Sequence, residues 1–340
     1  THRGNRLPWS PLLPDAFLGR NEYDLLACLP ALITAFGPNT SRIRYDYFQT
    51  LSELLRDNYH GTSIEWCNRH NVKHAADVPV FRNAHQGSVQ IPGTAGGSEK
   101  VGATESKEWK NQTAAYRKNP KFTASLIHQN GQGRVANTCF QDTGWSLTLQ
   151  DMKWSVDRLG AMGCNLFNFH GFSYTIDGLR KHHAPPSQFQ QNPYWKHFRL
   201  LSDYTGRLSY ILSQGKRVVN IAMLDPVTSL WSHLAHPHMG WKYAGYDDDE
   251  EKLASRLAED WAYLSESLNQ IQRDFDTLDP ETLGDARISG GHLHVGNADY
   301  DILIIPPITN LERPAFECIR QFVNSGGKVI CLGLLPVEDI

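Results

Sequence analysis

The chain has 340 residues, with 33 Lys and Arg against 36 Asp and Glu for a net charge of −3, and 40% of it is hydrophobic. This length allows two domains and this apolar content a packed core, while no basic stripe of the nucleic-acid type is present. No apolar run approaches the ~20 residues needed to span a bilayer, so neither nucleic acid nor a membrane is expected as partner.

The amino terminus, THRGNRLPW, is not a signal peptide, and the chain lacks an initiating Met and stops at PVEDI just after a strand. Those features suggest a fragment of a longer protein. The six cysteines, at 28, 67, 139, 164, 318 and 331, have neither CxxC nor finger spacing, so no zinc site or disulfide framework is indicated. Reduced thiols in a cytoplasmic protein fit this pattern.

Residues 1–40 are rich in proline and glycine and read as a loop region carrying one helix over Tyr23 to Phe36. Arg42 to His70 reads as one long helix, with Ile43, Tyr47, Leu51, Leu54, Leu55, Ile64 and Cys67 on its apolar stripe and a break at Gly61. A strand over Val72 to Val78 follows. Phe81 to Lys121 is polar and glycine-rich and reads as a lid or a decayed region, with Glu99, Glu105 and Glu108 solvated. Phe122 to His128 is apolar enough to pack, and Gly131 to Gly133 turns the chain into a strand over Arg134 to Phe140.

Thr148 and Asp151 then form a capping-box-like start, and Leu149, Met152, Val156, Leu159 and Met162 recur at helical spacing up to Gly163. Cys164 to Phe169 suits a buried parallel strand. Asn192 and Pro193 begin a helix that buries Trp195, Phe198, Leu201, Tyr204 and Leu208 to Leu212 and ends at Gly215, where we place a domain boundary. Val218 to Leu224 is the next strand. In the segment after it, His233, His236 and His238 match no strong zinc pattern, and a sugar-facing or packing loop is the better reading. Asp247 to Glu251 suits the positive end of a helix running to Phe275. Ala286 to Val295 reads as a hairpin about Gly290 and Gly291, and 302–332 as a β-α-β unit without a phosphate-binding glycine motif. No cofactor and no metal are therefore implied.

Two neighbouring strands thus empty polar and aromatic residues at their carboxyl ends, where α/β folds place their chemistry. Gln141, Asp142 and Trp145 of the first exit loop are expected beside His170 and Tyr174 of the second, lining one wall of a cleft. Sugar binding needs flat aromatic faces and planar polar groups, and Trp145, His170, Tyr174 and Trp231 are of that type. The alternative makes Trp145 and Tyr174 core or rim aromatics. Asp177 and Arg180 either bind a substrate hydroxyl or carboxylate or form an ion pair holding the loop.

The runs GCNLFNFHGFSYTIDG and APPS followed by NPYW, with RYDYFQTLSELLRDNYHGTSIEWCNRHNV near the start and DYDILIIPPITNLERPAFECIRQFVNSGGKVICLG near the end, resemble the α-L-rhamnosidase-like glycoside hydrolases, family 106 and relatives. The resemblance implies an α/β fold: the latter part of a (β/α)8 TIM-like barrel over 1–215, then a small, incomplete α/β domain of flavodoxin or amidotransferase type over 216–340. It implies a carbohydrate substrate and His170 and Tyr174 as binding residues. It also leads to a catalytic glutamate where this chain has Thr138, which has no carboxylate to act as acid, base or nucleophile. Asp142, four residues on, is the candidate substitute. Two readings stay open: a glycosidase acting on α-L-rhamnosides or related glycosides, and a non-catalytic carbohydrate-binding remnant of one.

Overall fold

Leu13 and Phe17, four apart behind a proline in the first turn, bury one side of a short helix, α1 (Leu13–Asn21). The computed structural model describes residues 7–76, 82–85, 89–96, 119–131, 133–236 and 242–340. The helix expected over Tyr23 to Phe36 is instead a tight turn at Leu26–Leu32, interrupted by Pro30, and the true helix lies upstream of it. The long amphipathic stretch is α2 (Thr40–Leu54) and α3 (Thr62–Arg69), joined by a wider π-type turn over Leu55–Gly61. The break thus begins six residues before the glycine that signalled it.

The first sheet is parallel and runs in consecutive order: β1 (Ala75–Ala76), β2 (Ile91–Gly96), β3 (Ala136–Cys139) and β4 (Leu166–Phe169). Helix α4 (Lys121–Asn130) leads into β3, and α5 (Leu149–Ala161) joins β3 to β4. These are parallel β/α repeats, and among the described residues the sheet is open at both edges and no barrel closes. Strand β2 corrects the expectation of a structureless stretch there. Its Pro92 and Gly93 hide it from propensity, but a Cβ at Gly93 would sit 3.3 Å from that of Ala136, so the glycine eases close strand approach. Glu99, Glu105 and Glu108, and the end of the strand expected to Val78, lie outside the described residues.

After β4, a turn at Trp195–His197 precedes α6 (Phe198–Leu212), a later start than the sequence suggested. A second parallel sheet begins with β5 (Ile221–Leu224), followed by α7 (Val227–Ser232), the antiparallel pair β6 (Ala235–His236) and β7 (Lys242–Tyr243), and α8 (Asp248–Gln270), whose cap is Asp247. Next come β8 (Asp276–Leu278), α9 (Pro280–Gly284) and a meander of β9 (Arg287–Ser289), β10 (His292–Val295) and β11 (Ala298–Tyr300). The expected hairpin turns at Gly290 and Gly291, both at positive φ. Strand β12 (Ile302–Ile305), β13 (Asn310–Leu311), α10 (Arg313–Asn324), β14 (Lys328–Cys331) and β15 (Glu338–Asp339) complete the chain.

Strand order in the second sheet is β14-β12-β5-β8, all parallel. Gly215 lies in the chain between the last strand of the first sheet and the first strand of the second, while the amino-terminal helices pack against elements that follow it. Leu13, Phe17, Tyr45, Tyr47 and Phe48 share a core with Val227, Trp231, Leu234 and Tyr243. A partly buried ion network fastens the sheets as well: Arg217 pairs with Asp274 and Asp276, while Lys121 and His128 of α4 reach the same two carboxylates.

Candidate active site

Register decides which side chains can meet a ligand. Strand β3 pairs with β4 so that Thr138 lies beside Asn168. Cys139, Phe167 and Phe169 pack with Met152, Val156 and Leu159 of α5. Side chains alternate across a strand, so Thr138, Asn168 and, one step further, His170 share the opposite face. Helix α5 holds this arrangement through the expected capping box: Thr148 Oγ1 accepts from the Asp151 amide at 3.1 Å, and the Asp151 carboxylate accepts from the Thr148 amide at 2.9 Å.

The exit loop of β3 bends through left-handed backbone at Phe140 (φ 74°), Asp142 (φ 59°) and Gly144 (φ 83°). Asp tolerates that region. A bulky Phe there carries ~1–3 kcal/mol of strain, the sort stored where a loop must present particular groups. The loop is tied to the one after β4 by the Gly144 amide to the Pro185 carbonyl at 3.1 Å and by Trp145 Nε1 to the Lys181 carbonyl at 2.8 Å. The His170 amide donates to the Cys139 carbonyl at 2.9 Å, and Gln191 Nε2 holds the Tyr174 carbonyl at 2.8 Å.

The two loops therefore meet. Asp142 is exposed, Trp145 is 39% exposed, His170 is half-buried and Tyr174 is 87% exposed. No direct bond links the Asp142 and His170 side chains.

Trp231 requires a correction. It is fully buried, with its ring centroid 5.8 Å from that of Phe48 and 5.9 Å from that of Tyr45, because α7 emerges from the second sheet beneath α2. It is a core residue with no face for a sugar. Asp177 and Arg180 form no ion pair with each other, so the loop is not held in that way.

Sequence reading missed Asn168, an exposed polar residue next to Thr138. Its signal was present, since it interrupts an apolar run two residues before His170. It also missed Gln188, which is fully buried with both side-chain amide atoms unpartnered beside the Gln188 amide to Gly171 carbonyl bond. The Nδ1 of His170 is buried and unpartnered too.

No group of three potential metal ligands occurs among the described residues. His233 has an acidic partner in Glu250 of α8 at 3.3 Å and bonds Thr309 at 2.9 Å. His238 lies outside the described residues. Burial works against ionisation of Glu250, but hydrogen bonds from His233 and Tyr243 and the Arg44 charge bring it down to about 2. A groove of about 840 Å³ opens at this end of α8, far from the β3–β4 loops in the chain. Its buried charges, Arg44 and Glu250, already neutralise each other.

Parallel strands with polar and aromatic groups gathered at their carboxyl ends are the architecture of α/β enzymes that work on that face. A family model described as alpha-L-rhamnosidase matches residues 3–282, and the chain belongs to this glycoside hydrolase family, family 106. A protein of Formosa agariphila that carries a beta-glucuronidase name is 22% identical over 334 residues, 95% of this chain and 25% of its own length. Among solved structures, a rhamnosidase from Novosphingobium sp. PP1Y superposes with a TM-score of 0.67 at 19% identity, covering 97% of this chain and 30% of that one. A beta-galactosidase from Bacillus circulans sp. alkalophilus gives 0.63 at 11% identity, with coverage of 98% and 50%. The chain thus spans about a quarter to a third of the lengths of the first two. Among the described residues no helix is long and apolar enough to cross a membrane.

Proposed function

We propose that this chain forms the glycan-binding wall of a glycosidase acting on α-L-rhamnosides or related glycosides, with Trp145, His170 and Tyr174 contacting the sugar and Asp142 supplying a carboxylate. The observation that supports this reading is the pair of loops joined at Gly144–Pro185 and Trp145–Lys181, the loops that carry those four residues at the carboxyl ends of β3 and β4. Trp145 and Tyr174 offer flat surfaces to the C–H faces of a pyranose, and His170 and Asn168 offer planar polar edges to its hydroxyls. Hydrolysis needs two carboxyl groups ~5 to ~9.5 Å apart. On this reading Asp142 provides one of the two, in a chain divided into a barrel part over 1–215 and an α/β part over 216–340. Six free thiols, with Cys139 and Cys164 buried, fit a cytoplasmic setting.

A second reading draws on the same face. Thr138 and Asn168 occupy adjacent strand positions without a charge, which favours a carbohydrate-binding protein that has lost hydrolysis. An aryl α-L-rhamnoside separates the two. Turnover by the full-length protein that is lost in Asp142→Asn supports the enzyme, and turnover unchanged in that variant removes Asp142 from the mechanism. Binding without turnover, with turnover gained in Thr138→Glu, supports the second.

A further inference from the structure

Alternation sorts the meander β9–β10–β11 into two chemically different faces. Leu293, Val295, Ala298 and Tyr300 turn inward and join the core of the second sheet. Arg287 and Ser289 of β9, His292 and His294 of β10, and Asp299 of β11 with Asp301 just beyond it fall on the other face, and each is exposed or half-buried. Register brings them together: Ser289 lies opposite His292, and Arg287 and Asp299 flank His294 from its two sides.

Two of the resulting contacts are those of a nucleophile and its base. Ser289 Oγ lies 2.7 Å from His294 Nε2, and His294 Nδ1 lies 2.5 Å from Asp299 Oδ1. A carboxylate only accepts, so Asp299 fixes the proton on Nδ1 and leaves the Nε2 lone pair for the Ser289 hydroxyl. Serine hydrolases activate a hydroxyl through this order of contacts, which recurs on unrelated folds and is recognised by geometry and role. Neighbouring groups give the contrast. Asp301 holds His292 Nδ1 at 2.7 Å, yet among the described residues His292 Nε2 reaches no hydroxyl. Ser52 meets His85 Nδ1 at 2.7 Å but is 1% exposed, so no ester could reach it. Arg287 is exposed, stands two residues before Ser289 on the same face, and has neither an ion pair nor a side-chain hydrogen bond among the described residues. Its guanidinium supplies N–H donors where an oxyanion would form.

We propose that Ser289, His294 and Asp299 form a second, esterolytic site, with Ser289 as nucleophile and His294 as its base. Ser289 Oγ bonds to the acyl carbon while His294 Nε2 takes the hydroxyl proton; the bond from that carbon to the leaving oxygen breaks, and the leaving group departs with the proton. Water then attacks the acyl-Ser289 ester and passes a proton to His294 Nε2, which returns it to Ser289 Oγ as the carboxylic acid leaves. Asp299 is a positioning residue that holds the imidazole in the required tautomer. An open sheet face orients a substrate little, so the class is unhindered aryl esters of short acids. The site stands independently of the glycan-binding reading above.

The test uses the whole chain with two probes, para-nitrophenyl acetate and an alkyl fluorophosphonate, whose covalent adduct is mapped by peptide mass spectrometry. Exposed imidazoles also release nitrophenolate, so the mapped adduct is the deciding measurement. The expected result is that Ser289 is labelled ahead of every other serine, and that its labelling slows about a hundredfold in His294→Gln, the lower part of what a positioned general base supplies. Asp299→Asn should slow it too, Asp299→Glu should restore part of the rate, and His292→Gln should leave it unchanged. Nitrophenolate release should fall in Ser289→Ala. All these side chains lie on the solvent side of the meander, so circular dichroism of each variant should match wild type. A wild-type chain in which Ser289 is labelled no faster than other serines overturns the site without recourse to any variant. Labelling that survives His294→Gln or Asp299→Asn, or release that Ser289→Ala leaves unchanged, overturns it as well.

Discussion

Arg82 is the residue whose replacement should tell most about how the fold is held. Its side chain is fully buried; Nε donates to Asp279 Oδ1 at 2.7 Å, Nη1 to Tyr45 at 2.8 Å and to Gln49 at 3.0 Å, and Nη2 to Glu312. The Asp279 and Glu312 side chains are only 3% and 10% exposed, and the guanidinium carbon lies 5.8 Å from the Trp231 ring. Arg82→Met keeps most of the apolar stem and removes the charge, leaving two carboxylates desolvated against α2. Breaking a buried pair from one side costs ~3–5 kcal/mol, mostly because the surviving charge is uncompensated. For 340 residues at ~2.1 cal/mol/K each, the unfolding entropy is ~0.7 kcal/mol/K, so the thermal midpoint should fall by about 4–7 °C. Thermal circular dichroism at neutral pH measures this. Adding Asp279→Asn and Glu312→Gln should recover about half of the loss, because the stranded charges go while Asn still caps α9. A fall of less than ~1 °C in the single variant, or a triple variant no more stable than the single, would refute the argument that stranded charge dominates.

Gln188→Leu removes two unpartnered buried amide atoms at similar shape and should raise stability by ~1 kcal/mol, read as a higher denaturant midpoint. A lower midpoint would mean that the amide has a partner in solution. His60 and His74 lie 3.2 Å apart, and both imidazoles are held below the ordinary 6.5, each chiefly by burial and His60 also by the charge of His74. Their folded values lie below their unfolded ones, so the stability contributed by the neutral pair is full above ~6.5 and declines as pH falls below it. Urea midpoints between about pH 7.5 and about pH 5 should fall in the wild type and fall less in His60→Gln; parallel slopes would show that the pair is not responsible.

Local chemistry was plain in the chain wherever neighbours in sequence are neighbours in space. The capping box at Thr148 and Asp151, the stripe of Met152, Val156 and Leu159, the acidic start of α8 and the glycine pair of the hairpin each act within a few residues, and each is present in the structure. Features that depend on distant partners were not legible. Strand β2 pairs with β3, where a Cβ at Gly93 would crowd Ala136, and no propensity of PGTAG suggests that pairing. The aromatic Trp231 read as a sugar platform because a sequence cannot show that α2 lies over it. Arg82 reaches partners 197 and 230 residues away, so nothing around it announced an ion network.

The same division holds at the candidate site. Periodicity and turn chemistry determined that two strands end in Asp142, Trp145, His170 and Tyr174, since alternation and breaker residues are local properties. Only tertiary structure decided that Thr138 stands beside Asn168 and that the basic turn at Arg180 is bound to the Trp145 indole, because register and loop contacts are set by packing among remote segments.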